Sequence, residues 1–429
     1  MPCIIDRLVG RRVWDSRGRP TVEVELHSAG QIGRSSAPAG ASRGSNEAID
    51  LRDGGLEFGG WGVNKAVANV NGPIRRALIG MDATDQSSID QVLIDLDGTS
   101  NKSRLGGNAT IATSMAALQL AAASHGVPLW RYLAQGTPVR LPLPEIQIFG
   151  GGVHAGKRLD IQDLMVMPVG ARSFDDALVM AAEVYRIAGQ TMAEMHRLAG
   201  VADEGGWWPL FDSNEEALEV LSRSIERAGY GNGQVGISLD IAASQFGSKG
   251  QYRTNLDHRE YRADEWLKVL LGWVRRYPIV SVEDPFAEDD LPGMQAFTAA
   301  VGDRVQVIGD DFLVTSAQRV INAAQQNACN AVLLKPNQAG TITEMRNTLK
   351  AAQSAGFGTI VSARSGETED VTIVHLAVGW NIGQLKVGAF ARSERMAKWN
   401  EGLRIEEELG ADSMFAGCAA LPVKISLPG

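Results

Sequence analysis

Ala331-Val332-Leu333-Leu334-Lys335 sets an unbroken apolar run against a lysine. Runs of this length suit strands covered on both faces, as in a parallel sheet wrapped by helices. The figure recurs as VGISL at 235–239, IVSV at 279–282, VQVI at 305–308, TIV at 359–361 and QLKV at 384–387. Each run is followed by enough chain for a helix and a return. That rhythm predicts an α/β fold, a (β/α)8 TIM barrel, whose chemistry gathers at the carboxyl ends of its strands. The runs end, in order, at Asp240, Glu283-Asp284, Asp310-Asp311, Lys335, Ala363-Arg364-Ser365 and Lys386. One polar residue after a strand is an ordinary loop start. A whole series from strands aimed at one centre marks a site.

Asp240, Glu283 and Asp310 come from three successive runs. Hard oxygen ligands with room for water suit Mg²⁺, and the absence of accompanying Cys or His speaks against zinc. Left alone, such carboxylates repel; a dication resolves that cost. Lys335 and Lys386 follow later runs. A lysine acts as a base only when neutral, so its pKa has to be lowered by burial and by nearby positive charge. An ion pair between Lys335 and the acidic residues is the structural alternative, and it does not exclude catalysis.

Towards the N-terminus the pattern changes. TVEVEL at 21–26 alternates apolar and polar residues, the period of a half-buried strand. Trp14-Asp15-Ser16-Arg17-Gly18 before it reads as a turn, and Ala39-Gly40-Ala41-Ser42-Arg43-Gly44 after it as a glycine-rich loop. Helical segments fill most of 62–133. Strands followed by helices predict a small α+β capping domain over 1–136, ending at the turn-rich Gly136-Thr137-Pro138, with the barrel over 137–429. Within the barrel, Ser173 and Ser213 each stand three residues before an acidic residue, as at helix starts.

The chain has 429 residues, 44% hydrophobic and 21% charged, with a formal charge of −9. That balance is globular and has no Lys/Arg block, so a nucleic-acid partner is not expected. Cys3, Cys329 and Cys418 are an odd, scattered set, which fits a reducing compartment. No signal-peptide core or membrane-length apolar run is visible. A soluble cytoplasmic protein without a membrane partner is expected.

Several stretches resemble the enolase family: Asp15-Ser16-Arg17-Gly18, Gly40-Ala41-Ser42, His154-Ala155-Gly156, Asp203-Glu204-Gly205-Gly206, VEDPFAEDD at 282–290, Leu334-Lys335-Pro336-Asn337-Gln338, RSGETED at 364–370 and ARSER at 391–395. The resemblance implies a capping domain on a modified barrel, usually as a homodimer, and lyase chemistry on a small anionic phospho- or phosphono-carboxylate. It carries over Asp240, Glu283 and Asp310 as ligands of a first Mg²⁺, with Ser42 helping to hold a second. Lys335 would be the base and Lys386 the partner of the substrate carboxylate. Glu204 would belong to the acid machinery for the departing hydroxyl. His154, Gln162, Arg364 and Ser365 would lie beside the substrate and its phosphate.

Four departures stand out. Ala363 replaces the histidine of the family's motif, and Asp163 replaces the glutamate of its Gln-Glu pair after His154-Ala155-Gly156, drawing that catalytic carboxylate back. Arg43 adds a bidentate anion binder to the loop. Trp207-Trp208 follow Glu204-Gly205-Gly206, where packing at the barrel mouth is weighed against a stacking platform. An emptied pocket and a new arginine lead to the expectation of a carboxyphosphonoenolpyruvate synthase of phosphinothricin-type biosynthesis. A phosphopyruvate hydratase is the alternative, and a non-catalytic binding protein on the same scaffold the alternative of another class.

Overall fold

The computed structural model describes residues 2–42, 44–231 and 233–424. The alternating segment lies in a three-stranded antiparallel sheet of β1 (Arg7–Trp14), β2 (Pro20–Ser28) and β3 (Gln31–Ser36). The turn between β1 and β2 closes with Gly18 at φ +68°, a left-handed position that favours glycine. The alanine-rich helix Gly107–Ser124 lies across β2 and β3, and small side chains let the two layers approach. At their closest point a Cβ on Gly33 would sit 2.2 Å from the Ala116 carbonyl oxygen. From this platform the loop after β3 passes over the barrel mouth, where Ala39 and Gly366 exchange backbone hydrogen bonds of 2.8 and 2.9 Å.

The barrel begins with β4 (Leu143–Gly150), β5 (Asp163–Met167) and β6 (Gly236–Asp240). A small antiparallel sheet follows: β7 (Gly247–Ser248), β8 (Gln251–Arg253) and β9 (Glu260–Arg262). The closed ring is completed by β10 (Ile279–Glu283), β11 (Gln306–Gly309), β12 (Ala331–Leu334), β13 (Gly358–Ser362) and β14 (Gln384–Ala389), in the order β10-β11-β12-β13-β14-β4-β5-β6. All six apolar runs are strands of this ring.

The ring departs from strict alternation at its start. β5 pairs antiparallel with both neighbours, so no long helix separates it from β4, and two helices, Phe174–Glu194 and Asn214–Arg227, follow it in succession. The capping serines start both helices: Ser173 Oγ accepts the Asp176 N–H and Ser213 Oγ the Glu216 N–H, each at 3.0 Å. Leu178, Ala181, Tyr185, Ala188 and Met192 on the first helix, and Leu218, Leu221 and Ile225 on the second, are buried. The reversal of β5 matters for the site. Its first residue, Asp163, lies on the same rim as the last residues of the parallel strands and pairs in register with Asp240. Within the eight-membered ring, β12 stands four places from β5, and β14 four places from β10. Side chains leaving those strands therefore face each other across the mouth.

Candidate active site

Lys386, on β14, reaches across the barrel. Its Nζ lies 2.9 Å from Asp240 Oδ2, 2.8 Å from Glu283 Oε2 and 3.5 Å from Asp163 Oδ2. Lys335, just past β12, puts its Nζ 2.5 Å from Asp310 Oδ2, and Gln338 Nε2 donates to Asp310 Oδ1 at 2.9 Å. Burial works to lower both lysine pKa values, but Asp310 outweighs it at Lys335, and Asp240 and Glu283 outweigh it at Lys386, so both are raised. Lys335 is thus an ammonium paired with an acid rather than the depressed base expected from its neighbours. The ion pair weighed as the structural alternative is the one present in this arrangement.

Asp284 shapes the acidic side of the mouth. Sitting at φ +40°, it accepts the Asp310 and Asp311 N–H groups at 2.9 and 2.7 Å. Among the described residues, the groups whose ligating atoms all lie within 4.8 Å of one another are Asp284-Asp310-Asp311 and His154-Asp163-Glu204. The trio Asp240, Glu283 and Asp310 is not one of them. One oxygen of each is turned to a lysine ammonium, two positive charges against three negative ones.

Two observations test whether Mg²⁺ suits these residues. Burial first, and neighbouring acids second, push the Glu283, Asp284 and Asp311 carboxyls up, Asp311 to about 8. Glu283 Oε1 is buried and has no hydrogen-bond partner. An all-oxygen set carrying such repulsion fits a hard dication.

Across the mouth, His154 Nδ1 lies 3.3 Å from Asp163 Oδ1 and its Nε2 lies 3.9 Å from Glu204 Oε1. Burial acts to lower the His154 pKa, but Glu204 and Asp163 outweigh it and raise it. Burial likewise acts to raise Asp163, but His154 and Lys386 hold its carboxyl well below the usual range. The shortened side chain is not idle. Gln147 on β4 donates from Nε2 to Asp163 Oδ1 and accepts the Gly206 N–H through Oε1 at 2.8 Å. One amide thus ties Asp163 to the loop carrying Glu204. Tyr185 holds the same loop, its hydroxyl donating to the Gly205 carbonyl at 2.7 Å. Gln162 donates to Asp240 Oδ2 at 2.9 Å and so braces the acidic side.

Arg364 is buried beneath the capping loop. Its guanidinium donates to Glu47, Asn337 and the carbonyl of Ser42, the last at 2.9 Å. Ser365 Oγ accepts from the Ala41 N–H (2.7 Å) and from Arg17 Nη1 (3.0 Å). Behind them, fully buried Arg395 donates to the carbonyls of Arg364, Ser365 and Val387. Ser42, Gln162, His154, Asp163, Glu204, Asp240, Lys335, Arg364, Ser365 and Lys386 line one cavity with Ala363. Glu283 and Asp310 adjoin it through the lysines, and Arg43 lies outside the described residues.

The cavity holds about 20 Å³, space for one or two waters, and Ala363 faces it together with Arg364, Lys335 and Lys386. The tryptophan pair resolves to packing at Trp207: its ring stacks on Tyr185 at 4.7 Å, its Nε1 donates to the Tyr185 carbonyl, and a Cβ on Gly189 would meet the ring at 2.5 Å. Gln147, Glu47, Gln338 and Arg17 were not picked out as site residues. Arg17 and Gln338 stand in quoted motifs, which could have flagged them. Gln147 and Glu47 had no such signal.

The family description "Enolase, N-terminal domain" matches residues 5–133, and "Enolase, C-terminal TIM barrel domain" matches 138–423. A curated relative, Enolase 1 of Desulfitobacterium hafniense (strain Y51), is 47% identical over 416 residues, 96% of this chain and 95% of the relative. That likeness overturns the expectation of a carboxyphosphonoenolpyruvate synthase and favours the hydratase alternative. Trp207, weighed as a stacking platform, is already stacked on Tyr185 and offers no free ring face on that side.

Proposed function

The chain belongs to the enolase family and is an enzyme of its hydro-lyase type, and from that premise we propose that it dehydrates 2-phosphoglycerate to phosphoenolpyruvate. The observation that carries the proposal is the opposition across the barrel mouth: Lys335 leaves β12, four places round the ring from β5, where Asp163 starts beside His154 and Glu204. A base on one side and an acid group on the other is what removal of a proton and a hydroxyl from adjacent carbons requires.

In this reading Lys335 first gives up its ammonium proton to solvent and then, as the neutral amine, takes the proton from the carbon alpha to the carboxylate. The C–H electron pair becomes the new C=C bond, the C–O bond on the next carbon breaks, and a proton from the Glu204 side lets the hydroxyl leave as water. His154, braced by Asp163, keeps Glu204 supplied with a proton-sharing neighbour. Lys386 pairs with the substrate carboxylate, while Arg364 and Ser365 hold the phosphate. Asp240, Glu283 and Asp310 would hold a first Mg²⁺ and Ser42 would help with a second. Bound there, Mg²⁺ would supply positive charge that offsets the charge gathering on the substrate carboxylate. The reading carries with it a capping domain ending at residue 136, a homodimer and a cytoplasmic location. Among the described residues no helix is long and apolar enough to cross a membrane.

The test is direct. Purified protein with 2-phosphoglycerate and Mg²⁺ should produce phosphoenolpyruvate, followed by its ultraviolet absorbance, and chelation should stop it. No absorbance growth at saturating substrate and metal would refute the assignment.

A further inference from the structure

A cleft of about 330 Å³ opens where the capping domain meets the barrel. One wall is the start of helix Gln86–Asp97 with helix Leu129–Ala134, and the other is helix Ile342–Ser354. The cleft shares no lining residue with the active-site cavity. Domain junctions are a common place for small ligands to be held. Leu118 and Ile342 line it as buried apolar side chains, and Tyr132 and Trp380 add aromatic rings. Its positive charge comes from Arg346 and Lys350, one turn apart on the barrel helix. Neither side chain makes a hydrogen bond or an ion pair among the described residues. The Arg346 guanidinium lies instead 5.9 Å from the centre of the Trp380 ring. The acid on the opposite wall, Asp85, is already committed. It caps its own helix by accepting the Ser88 N–H at 3.1 Å and the hydroxyls of Ser87 and Ser88 at 2.9 and 2.7 Å.

We propose that this cleft binds a small carboxylate carrying one aromatic ring, its carboxylate on Arg346 and Lys350 and its ring against Tyr132, Leu118 and Trp380. Two like charges one turn apart on a helix repel, and an anion between them removes that cost. A guanidinium without an acid partner offers its planar fork to a carboxylate. The ring supplies apolar area for the aliphatic and aromatic side chains, which a bare inorganic anion would leave facing water. Two polar atoms on the lining residues are buried and without a hydrogen-bond partner: Gln86 Oε1 from the capping domain and Trp380 Nε1 from the barrel. Such orphaned atoms are rare in folded proteins. The first is matched by a hydroxyl on the ligand and the second by a carboxylate oxygen. A ligand held between these walls touches both domains at once, so its binding strengthens their junction and raises the melting temperature.

The proposal is independent of the reaction assigned to the barrel mouth, and its test uses no turnover. 4-Hydroxybenzoate is titrated into the purified protein by isothermal calorimetry, beside benzyl alcohol (a ring without charge) and inorganic phosphate (a charge without a ring). 4-Hydroxybenzoate should bind with a Kd on the order of 1 mM or tighter, within reach of a ligand of about ten non-hydrogen atoms. The two controls should bind at least about tenfold more weakly, since each lacks one half of the recognition. In the Arg346→Gln/Lys350→Gln double variant the affinity for 4-hydroxybenzoate should fall by about tenfold or more. Asn347→Trp, an exposed change that fills the cleft from the barrel helix, should abolish binding. Circular dichroism and melting temperature without ligand check that each variant folds. No binding of 4-hydroxybenzoate up to about 20 mM, well above the Kd that its size allows, would overturn the proposal. So would an affinity unchanged in the double variant and in Asn347→Trp, which would place the ligand elsewhere. Phosphate binding as tightly as 4-hydroxybenzoate, and lost in the same variants, would reduce the cleft to a bare cationic patch and overturn it too. If the double variant fails to fold, Asn347→Trp alone decides.

Discussion

Replacing Gln147 by methionine removes the amide that joins Asp163 to the Glu204 loop while keeping nearly the same length of side chain. The structure gives two losses. Asp163 loses a charge-assisted hydrogen bond, a loss of about 1.5–3 kcal/mol, and the Gly206 N–H is left buried without its acceptor, a further cost of about 1–3 kcal/mol. Together these predict a drop of about 2.5–6 kcal/mol in unfolding free energy, read by urea titration. Activity should respond through the acid side. The folded-state Asp163 pKa is depressed, so the stability it contributes is present above its unfolded value and lost as pH falls through the folded one. Taking away a donor raises the folded value, so the contribution is smaller and its loss is complete at a higher pH. The acid limb of the pH–kcat profile should move up by about one unit, with kcat at neutral pH down by about tenfold as Asp163 and Glu204 lose registration. An acid limb that stays in place with kcat within about twofold of wild type would refute the claim that Gln147 sets this carboxylate.

Three further outcomes are expected. Lys335→Ala should abolish turnover while Mg²⁺ binding persists by titration calorimetry, because the carboxylates remain and their competing ammonium is gone. Asp310→Asn should weaken Mg²⁺ binding as well as activity, since it discards an anionic oxygen and the Lys335 pair. Asp90, buried under Ser114 and Thr343 where the capping domain meets the barrel, is pushed up to about 6 by burial. Its raised folded pKa means a contribution fully present below the unfolded value and lost as pH rises from about 4 to 6, roughly 3 kcal/mol for about two units. That slope should be absent in Asp90→Asn.

How much of this was legible depends on what each residue does in the ring. The six apolar runs announced themselves because strands covered on both faces need apolar residues throughout, and their charged ends marked the rim. β4 escaped notice because Glu145 and Gln147 turn polar groups into the barrel interior, where Ser238 and Asp163 satisfy them. Nothing in Asp163-Leu164-Met165-Val166-Met167 encodes a direction, since alternation and hydrophobicity read the same both ways. Only pairing with β4 and β6 sets β5 antiparallel.

The charged residues show a second limit. Lys335 and Lys386 were readable as site residues from their positions, but not their partners, because pairing is chosen by geometry across the ring. Identity at single positions argues poorly for substrate: Ala363 and Arg43 pointed to a synthase, whereas 47% identity along 96% of the chain favours the hydratase, because a substrate is held by the whole set of side chains at the mouth and not by one of them.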